Sequence, residues 1–333
     1  MAEPPVLLTG GSGVVGGAVL KRLVAGGRSV RALARSDAAA DAVRALGAEP
    51  VRGDVLDEPS LLAAVDGCEV VYHVAGVNKF CQKSARPMRS VNVQGSANVV
   101  KAAAIAGVRR IVYTSSAVSL GEAKGTVGSE ESPHRGSYLS AYERSKHDAE
   151  QTVMGMMGVV PIQIVCLNPS SVQGPGRTSG TGQLLVAYLN GRLKGWVDTT
   201  VSLVDIDDCA EGHVLAEAKG TPGQRYVLSA ASLGTPELME LMGRVAPGIR
   251  PPRVYPPVVA KVGVAASQVS AKLKGREPEV CGESLRTLLH GHRYDGSRAE
   301  RELGLTYRPV EDTLRRTAEW LVETGQAPKD ALG

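Results

Sequence analysis

Val6-Leu7-Leu8-Thr9-Gly10-Gly11-Ser12-Gly13-Val14-Val15-Gly16 is an apolar run, a glycine-rich turn and the start of a helical pattern that ends at Gly26-Gly27. Strand, loop and helix in that order decide the fold class. Glycines at 10, 13 and 16 allow a tight turn and close backbone approach. The free N–H groups of the helix behind them, reinforced by its dipole, make an anion site suited to a pyrophosphate. Gly10, Ser12, Gly13, Val14, Val15 and Gly16 are therefore candidate cofactor-binding residues. The spacing fits G-x-G-x-x-G through Gly11 and TGxxGxxG through Gly10, so the glycines alone do not choose a subfamily.

The same rhythm recurs downstream. Strands are expected at Val6–Thr9, Val30–Ala34, Pro50–Arg52, Val70–Val74, Arg110–Thr114 and Ile162–Asn168. Helices are expected near Val14–Ala25, Asp37–Leu46, Ser60–Val65, Arg89–Ala106 and Tyr142–Met157. This βαβ alternation predicts an α/β Rossmann fold over residues 1–168, a doubly wound parallel sheet flanked by helices. Pro169 and Gly174-Pro175-Gly176 then break the pattern. A helix at Gln183–Leu193, a strand at Thr200–Val204, a helix at Ile206–Ala218 and a strand at Tyr226–Ser229 follow. Residues 201–230 are expected to return to the core. Residues 169–200 and 231–333, the latter read as helices joined by Pro-rich loops, are expected to form a smaller C-terminal substrate-binding part.

Composition narrows the function. Of 333 residues, 43% are hydrophobic, yet one is Phe and two are Trp, so the core must be aliphatic, as suits a covered parallel sheet. The net charge of +4 is spread without long basic runs, which argues against nucleic acid and for a small-molecule substrate. No apolar stretch approaches the roughly 20 residues of a membrane span, and the first 30 residues fit no targeting segment, so a cytoplasmic location away from membranes is expected. Cys68, Cys81, Cys166, Cys209 and Cys281 lack metal-site spacing; reduced structural thiols and no metal are expected. A homodimer is an open expectation.

Two further segments carry chemistry. In an NAD site an acid near the end of the second strand receives the adenosine ribose, but here Val30-Arg31-Ala32-Leu33-Ala34-Arg35 offers none before Asp37. Arg35 can instead grip a ribose 2′-phosphate, so NADP(H) is favoured over NAD(H). Tyr142-Glu143-Arg144-Ser145-Lys146 places a phenol and an ammonium on one helix face. The ammonium is expected to draw the phenol down from its free value near 10, making Tyr142 a usable acid/base, and Lys146 can hold the nicotinamide ribose. Thr114-Ser115-Ser116 lies at the carboxyl edge of the fifth strand, where Ser116 can bond a substrate oxygen. His73 reads as a packed histidine, and His134, His290 and His292 have no matching carboxylate pattern. Asp205, Asp207 and Asp208 open a helix and read as N-capping groups rather than metal ligands.

Thr9 to Gly16, Asp54, Val74-Ala75-Gly76, Val91 to Gly95, Tyr113 to Ser116 and Tyr142 to Lys146 together resemble the extended short-chain dehydrogenase/reductases, the NAD-dependent epimerase/dehydratase family. Asn168 to Ser171, Gly174 to Gly176, Tyr188 to Gly191, Val204 to Asp208, Ser297 to Gly304 and Trp320 resemble its dihydroflavonol-reductase-like branch, which includes hopanoid-associated sugar epimerases. The resemblance implies Ser116, Tyr142 and Lys146 as the catalytic group. It also implies Asp54 near the adenine and Ala75 and Asn92 along the cofactor, with Val55, Val74, Thr114 and Pro169 beside them. Ser115-Ser116-Ala117 lacks the acidic pair of family dehydratases, which argues against sugar dehydration. Residues 258–283, expected to face the substrate, match little. The implied activity is hydride transfer between nicotinamide and a ketone or secondary alcohol. The alternatives are a nucleotide-sugar epimerase and a cofactor-retaining regulatory protein, the last disfavoured by the intact Ser, Tyr and Lys.

Overall fold

A computed structural model of the chain describes residues 4–273, 275 and 280–332. Parts of the expected substrate-facing segments, at 274, 276–279 and 333, lie outside the described residues, as do residues 1–3. The first half runs β1 (Val6–Thr9), α1 (Val14–Ala25), β2 (Val30–Ala34), α2 (Asp37–Arg44), β3 (Glu49–Arg52), α3 (Glu58–Val65), β4 (Val70–His73), α4 (Arg86–Arg89), α5 (Ser96–Ile105), β5 (Arg110–Thr114), α6 (Ala141–Gly155) and β6 (Gln163–Pro169). The second runs β7 (Ser171–Gln173), α7 (Gly182–Leu189), β8 (Gly195–Val197), β9 (Thr200–Asp205), α8 (Ile206–Lys219), β10 (Arg225–Leu228), β11 (Ala231–Gly234), α9 (Thr235–Val245), β12 (Arg253–Tyr255), α10 (Pro257–Leu273), α11 (Gly282–His290) and α12 (Val310–Glu323).

Seven parallel strands form the main sheet in the order β10-β6-β5-β4-β1-β2-β3. Side chains alternate between its faces, as the strand period requires. Val6, Leu8, Ala32 and Tyr72 pack under α1 and α8, whereas Leu7, Leu33, Val71 and Ile111 pack under α3 and α5. Tyr113 and Cys166 share the second face. Order reverses at β1, whose neighbours are β2 and β4, so a crevice opens at the carboxyl ends of these strands.

The strand expected at Tyr226–Ser229 returns to the core as β10, the seventh strand, which takes the free edge of β6 with Arg225 opposite Cys166. Three expectations need correction. The strand expected at Thr200–Val204 pairs instead with β7 and β11 in a separate three-stranded sheet. The helix expected at Arg89–Ala106 is interrupted by a π-helical turn at Ser90–Gly95, where Asn92 turns inward and its amide is taken up by Val77 and Ser145. The segment from 231 onward contains two short strands, β11 and β12, besides its helices. A third apolar cluster joins Leu185, Tyr188, Leu189, Leu238, Leu241, Leu314 and Leu321 from α7, α9 and α12, apart from the two sheet faces. Among the described residues no helix is long and apolar enough to cross a membrane.

Candidate active site

The glycine loop is built as a cradle. Gly10 has φ +79°, and a Cβ there would lie 2.7 Å from the Ala75 amide nitrogen; at Gly16 it would lie 2.0 Å from the Gly10 carbonyl oxygen. Only glycine lets these backbones approach so closely. The Gly10 carbonyl accepts from the Gly13 N–H at 2.9 Å, and α1 begins behind Gly13 with no side-chain cap, so its first N–H groups face the crevice. This uncapped helix end fits a pyrophosphate. Thr9 Oγ1 fastens the floor, receiving the Ala75 N–H at 3.2 Å and lying 2.7 Å from His73 Nδ1. His73 is fully buried, its other nitrogen meets Ser96 Oγ, and burial brings its pKa down to about 3: it is the packed histidine expected.

Around this floor lie the other expected cofactor residues. Asp54 accepts from the Leu56 N–H, and Val55 is buried with its carbonyl receiving the Asn98 amide. Arg35 stands at the end of β2 with its side chain 68% exposed, 3.8 Å from Asp54. Ser36 caps α2 beside it, and Asp37, the first residue of that helix, pairs with Arg52. Val74 and Ala75 follow β4, and Pro169 ends β6. Asn92 holds the loop after Gly76, its side-chain amide accepting from the Val77 N–H and donating to the Val77 carbonyl and Ser145 Oγ.

Ser140 caps α6 by accepting the Glu143 N–H, which starts the helix one residue before Tyr142. Tyr142 is half-buried with Ser116 in reach of its phenol; Lys146, one turn on, is buried, donates to the Thr114 carbonyl at 2.8 Å and sits over the Tyr113 ring. Tyr142, Ser116 and Lys146 therefore converge at the end of β5, with Gly76 beside Lys146 Nζ. The serine turn is held from below. Asn168 donates to the Ser116 carbonyl, to Ser119 Oγ and to Glu150 Oε2, and Glu150 pairs with Arg225 at 3.1 Å.

The electrostatics differ from expectation. Burial holds the Tyr142 phenol above its ordinary value, against the lowering pull of the Ser116 hydrogen bond and of the Arg177 charge. Lys146 donates to the Thr114 carbonyl, and burial brings it down to about 8. Arg177 was not anticipated. It follows the Gly174-Pro175-Gly176 break, and one arginine in a loop carries no pattern that would single it out.

Nor were the neighbours of Tyr142 from distant segments. The Phe80 ring lies 5.8 Å from the Tyr142 ring, and Cys81 next to it forms a disulfide with Cys281, which corrects the expectation of reduced thiols for that pair. Cys68, Cys166 and Cys209 remain free and buried. Glu283, in the first turn of α11, accepts from the Cys81 N–H and from the Ala141 N–H that opens α6. A cavity of about 360 Å³ lies here, lined by Lys79, Cys81, Ala141, Cys281, Glu283 and Arg286 among others. A larger one, of about 730 Å³ between Ser229, Tyr294, Tyr307 and Arg308, contains none of the Ser116, Tyr142 and Lys146 group. The N-capping expectation for the aspartates holds: Asp205 accepts from the Asp207 N–H, and Arg308 and Arg316 pair with both.

Residues 7–224 match the 3-beta hydroxysteroid dehydrogenase/isomerase family. A Synechocystis protein provisionally named as a dihydroflavonol 4-reductase is 30% identical over 96% of this chain and 94% of its own. A 2-alkyl-3-oxoalkanoate reductase of Stenotrophomonas maltophilia is 29% identical over 93% and 97%. The crystal structure of gox2253 superposes with a TM-score of 0.83 at 29% identity, covering 98% of this chain and all of that one.

Proposed function

Because the chain belongs to the 3-beta hydroxysteroid dehydrogenase/isomerase family and is an NAD(P)-dependent oxidoreductase of the extended short-chain type, we propose that it reduces a ketone to a secondary alcohol with Tyr142 as general acid. The observation that carries this reading is the convergence of Tyr142 and Ser116 at the carboxyl edge of the sheet, with Lys146 buried one turn away. When bound, the nicotinamide supplies the hydride.

The protein's own groups handle the oxygen and its proton. Ser116 donates a hydrogen bond to the oxygen on which charge develops. Burial keeps the Tyr142 phenol protonated at neutral pH, so it holds the proton needed by the nascent alkoxide. The phenolate left behind faces the Arg177 charge, which lowers the cost of that transfer. Lys146 anchors the nicotinamide ribose, the Gly10–Gly16 loop holds the pyrophosphate, and Arg35 takes the 2′-phosphate of NADP(H). Its exposure and its long 3.8 Å approach to Asp54 leave the guanidinium available for that contact. Segments 169–200 and 231–290 form the substrate wall, a reading supported by the Arg177 charge acting on Tyr142 and by Cys281, Glu283 and Arg286 around the adjoining cavity.

Tyr142→Phe tests the assignment. It keeps the ring beside Phe80 but removes the transferable proton, so ketone-dependent NADPH oxidation should fall on the order of 10²- to 10⁴-fold while NADPH affinity stays unchanged. A variant retaining more than about a tenth of the wild-type rate contradicts the role. Conversion of a nucleotide sugar without net NADPH consumption would instead identify the epimerase alternative.

A further inference from the structure

Glu122 follows the serine turn, and His290 and His292 lie at and just beyond the end of α11, about 170 residues away in sequence. The fold brings them together. One carboxylate oxygen and one nitrogen from each ring all lie within 4.8 Å of one another. Glu122 Oε1 is 3.3 Å from His290 Nε2 and 2.5 Å from His292 Nδ1. Glu122 and His290 are buried, and His292 is nearly so. These two histidines looked unaccompanied in the sequence, because their carboxylate comes from the other half of the chain.

The cluster is incompletely satisfied as it stands. Glu122 Oε2, His290 Nε2 and His292 Nε2 are buried without a hydrogen-bond partner. His292 Nδ1 also sits 2.9 Å from the Tyr294 hydroxyl, and a single ring nitrogen cannot donate to the carboxylate while accepting from the phenol. Orphaned polar atoms in such a place cost about 1–3 kcal/mol each, and of the three it is His290 Nε2 that lies against Glu122 Oε1. Arg135 does not answer them: it donates to the Glu122 main-chain carbonyl but pairs its charge with Glu143.

We propose that Glu122, His290 and His292 bind one divalent transition ion, zinc by donor type, which clamps the C-terminal segment to the serine turn of the active site. Two imidazoles and a carboxylate are a zinc donor set, with bonds of about 2.0–2.2 Å that set neighbouring donors roughly 3.3 Å apart. The Glu122–His290 pair already has that spacing, and the His292 ring must retreat by under about 1 Å. The fourth position falls to water beside the Tyr294 hydroxyl. The ion's work is positional. It joins the segment after Ser116–Leu120 to α11, whose other end holds Cys281 against Cys81 and Glu283 against the start of α6.

The full-length chain, purified without a histidine tag and stripped with a chelator, is titrated with zinc and then dialysed. Bound metal is measured by elemental mass spectrometry, alongside melting temperature and NADPH affinity. The expected result is one zinc per chain, a raised melting temperature, and a tetrahedral visible spectrum when cobalt replaces zinc. Glu122→Gln, His290→Gln and His292→Gln should each abolish retention while NADPH still binds, which shows that the variants are folded. Zinc absent from the wild type, or held equally by all three variants, would overturn the site. Neither result depends on which substrate the enzyme reduces.

Discussion

Reducing the Cys81–Cys281 disulfide should lower the melting temperature by about 5 °C. The two cysteines are 200 residues apart in sequence, and a cross-link closing a loop of that size removes about 18 cal/mol/K from the unfolded chain, or about 5 kcal/mol at 25 °C. A local cost offsets part of this. Cys81 is the one non-glycine residue among those described with a positive φ, +62°, a conformation that costs a side-chain-bearing residue about 1–2 kcal/mol. Losing the bond lets that residue relax, leaving a net loss of about 4 kcal/mol. At about 2.1 cal/mol/K per residue, the whole chain unfolds with an entropy of about 0.7 kcal/mol/K, which converts the loss to the stated shift. Calorimetry with and without a phosphine reductant, repeated on Cys81→Ser/Cys281→Ser, measures it. The double variant should melt low under both conditions. Thiol titration of the unfolded, unreduced wild type should find three thiols, those of Cys68, Cys166 and Cys209. Five thiols, or melting temperatures within about 1 °C of each other, would refute the reasoning. Reduction should also raise the KM for substrate, because Phe80 precedes the released residue and lies against Tyr142.

Three further outcomes are expected. NADPH should bind more tightly than NADH, and Arg35→Ala should erase the difference by weakening NADPH alone, on the order of 10- to 100-fold by calorimetry; equal wild-type affinities would count against Arg35. The Lys146 ammonium is present below its pKa of about 8 and lost above it, so NADPH affinity should hold at neutral pH and fall toward tenfold per unit as pH rises past that value. Lys146→Met should bind weakly at every pH and show no such break. Gly16→Ala would put a methyl 2.0 Å from the Gly10 carbonyl and force the loop aside, weakening NADPH on the order of 100-fold. Gly243→Ala, whose methyl meets nothing within 4 Å, should leave binding unchanged.

The Rossmann core, the glycine loop and the convergence of Ser116, Tyr142 and Lys146 were legible in the residues themselves because each rests on local spacing. A period of two makes a strand, a turn of 3.6 puts Tyr142 and Lys146 on one face, and glycine is demanded wherever backbones nearly touch. Tertiary structure decided what depends on residues far apart in sequence. It gave β10 rather than β9 the edge of β6, and it raised the Tyr142 phenol where one-turn spacing from Lys146 implied lowering, because burial of the phenol outweighs the charges around it. It joined Cys81 to Cys281 and Glu122 to His290 and His292, and it brought the Arg177 charge to bear on Tyr142. No periodicity records such pairings, since a long loop closes at a free-energy cost that grows only with the logarithm of its length, and the packing of the whole chain determines which residues meet.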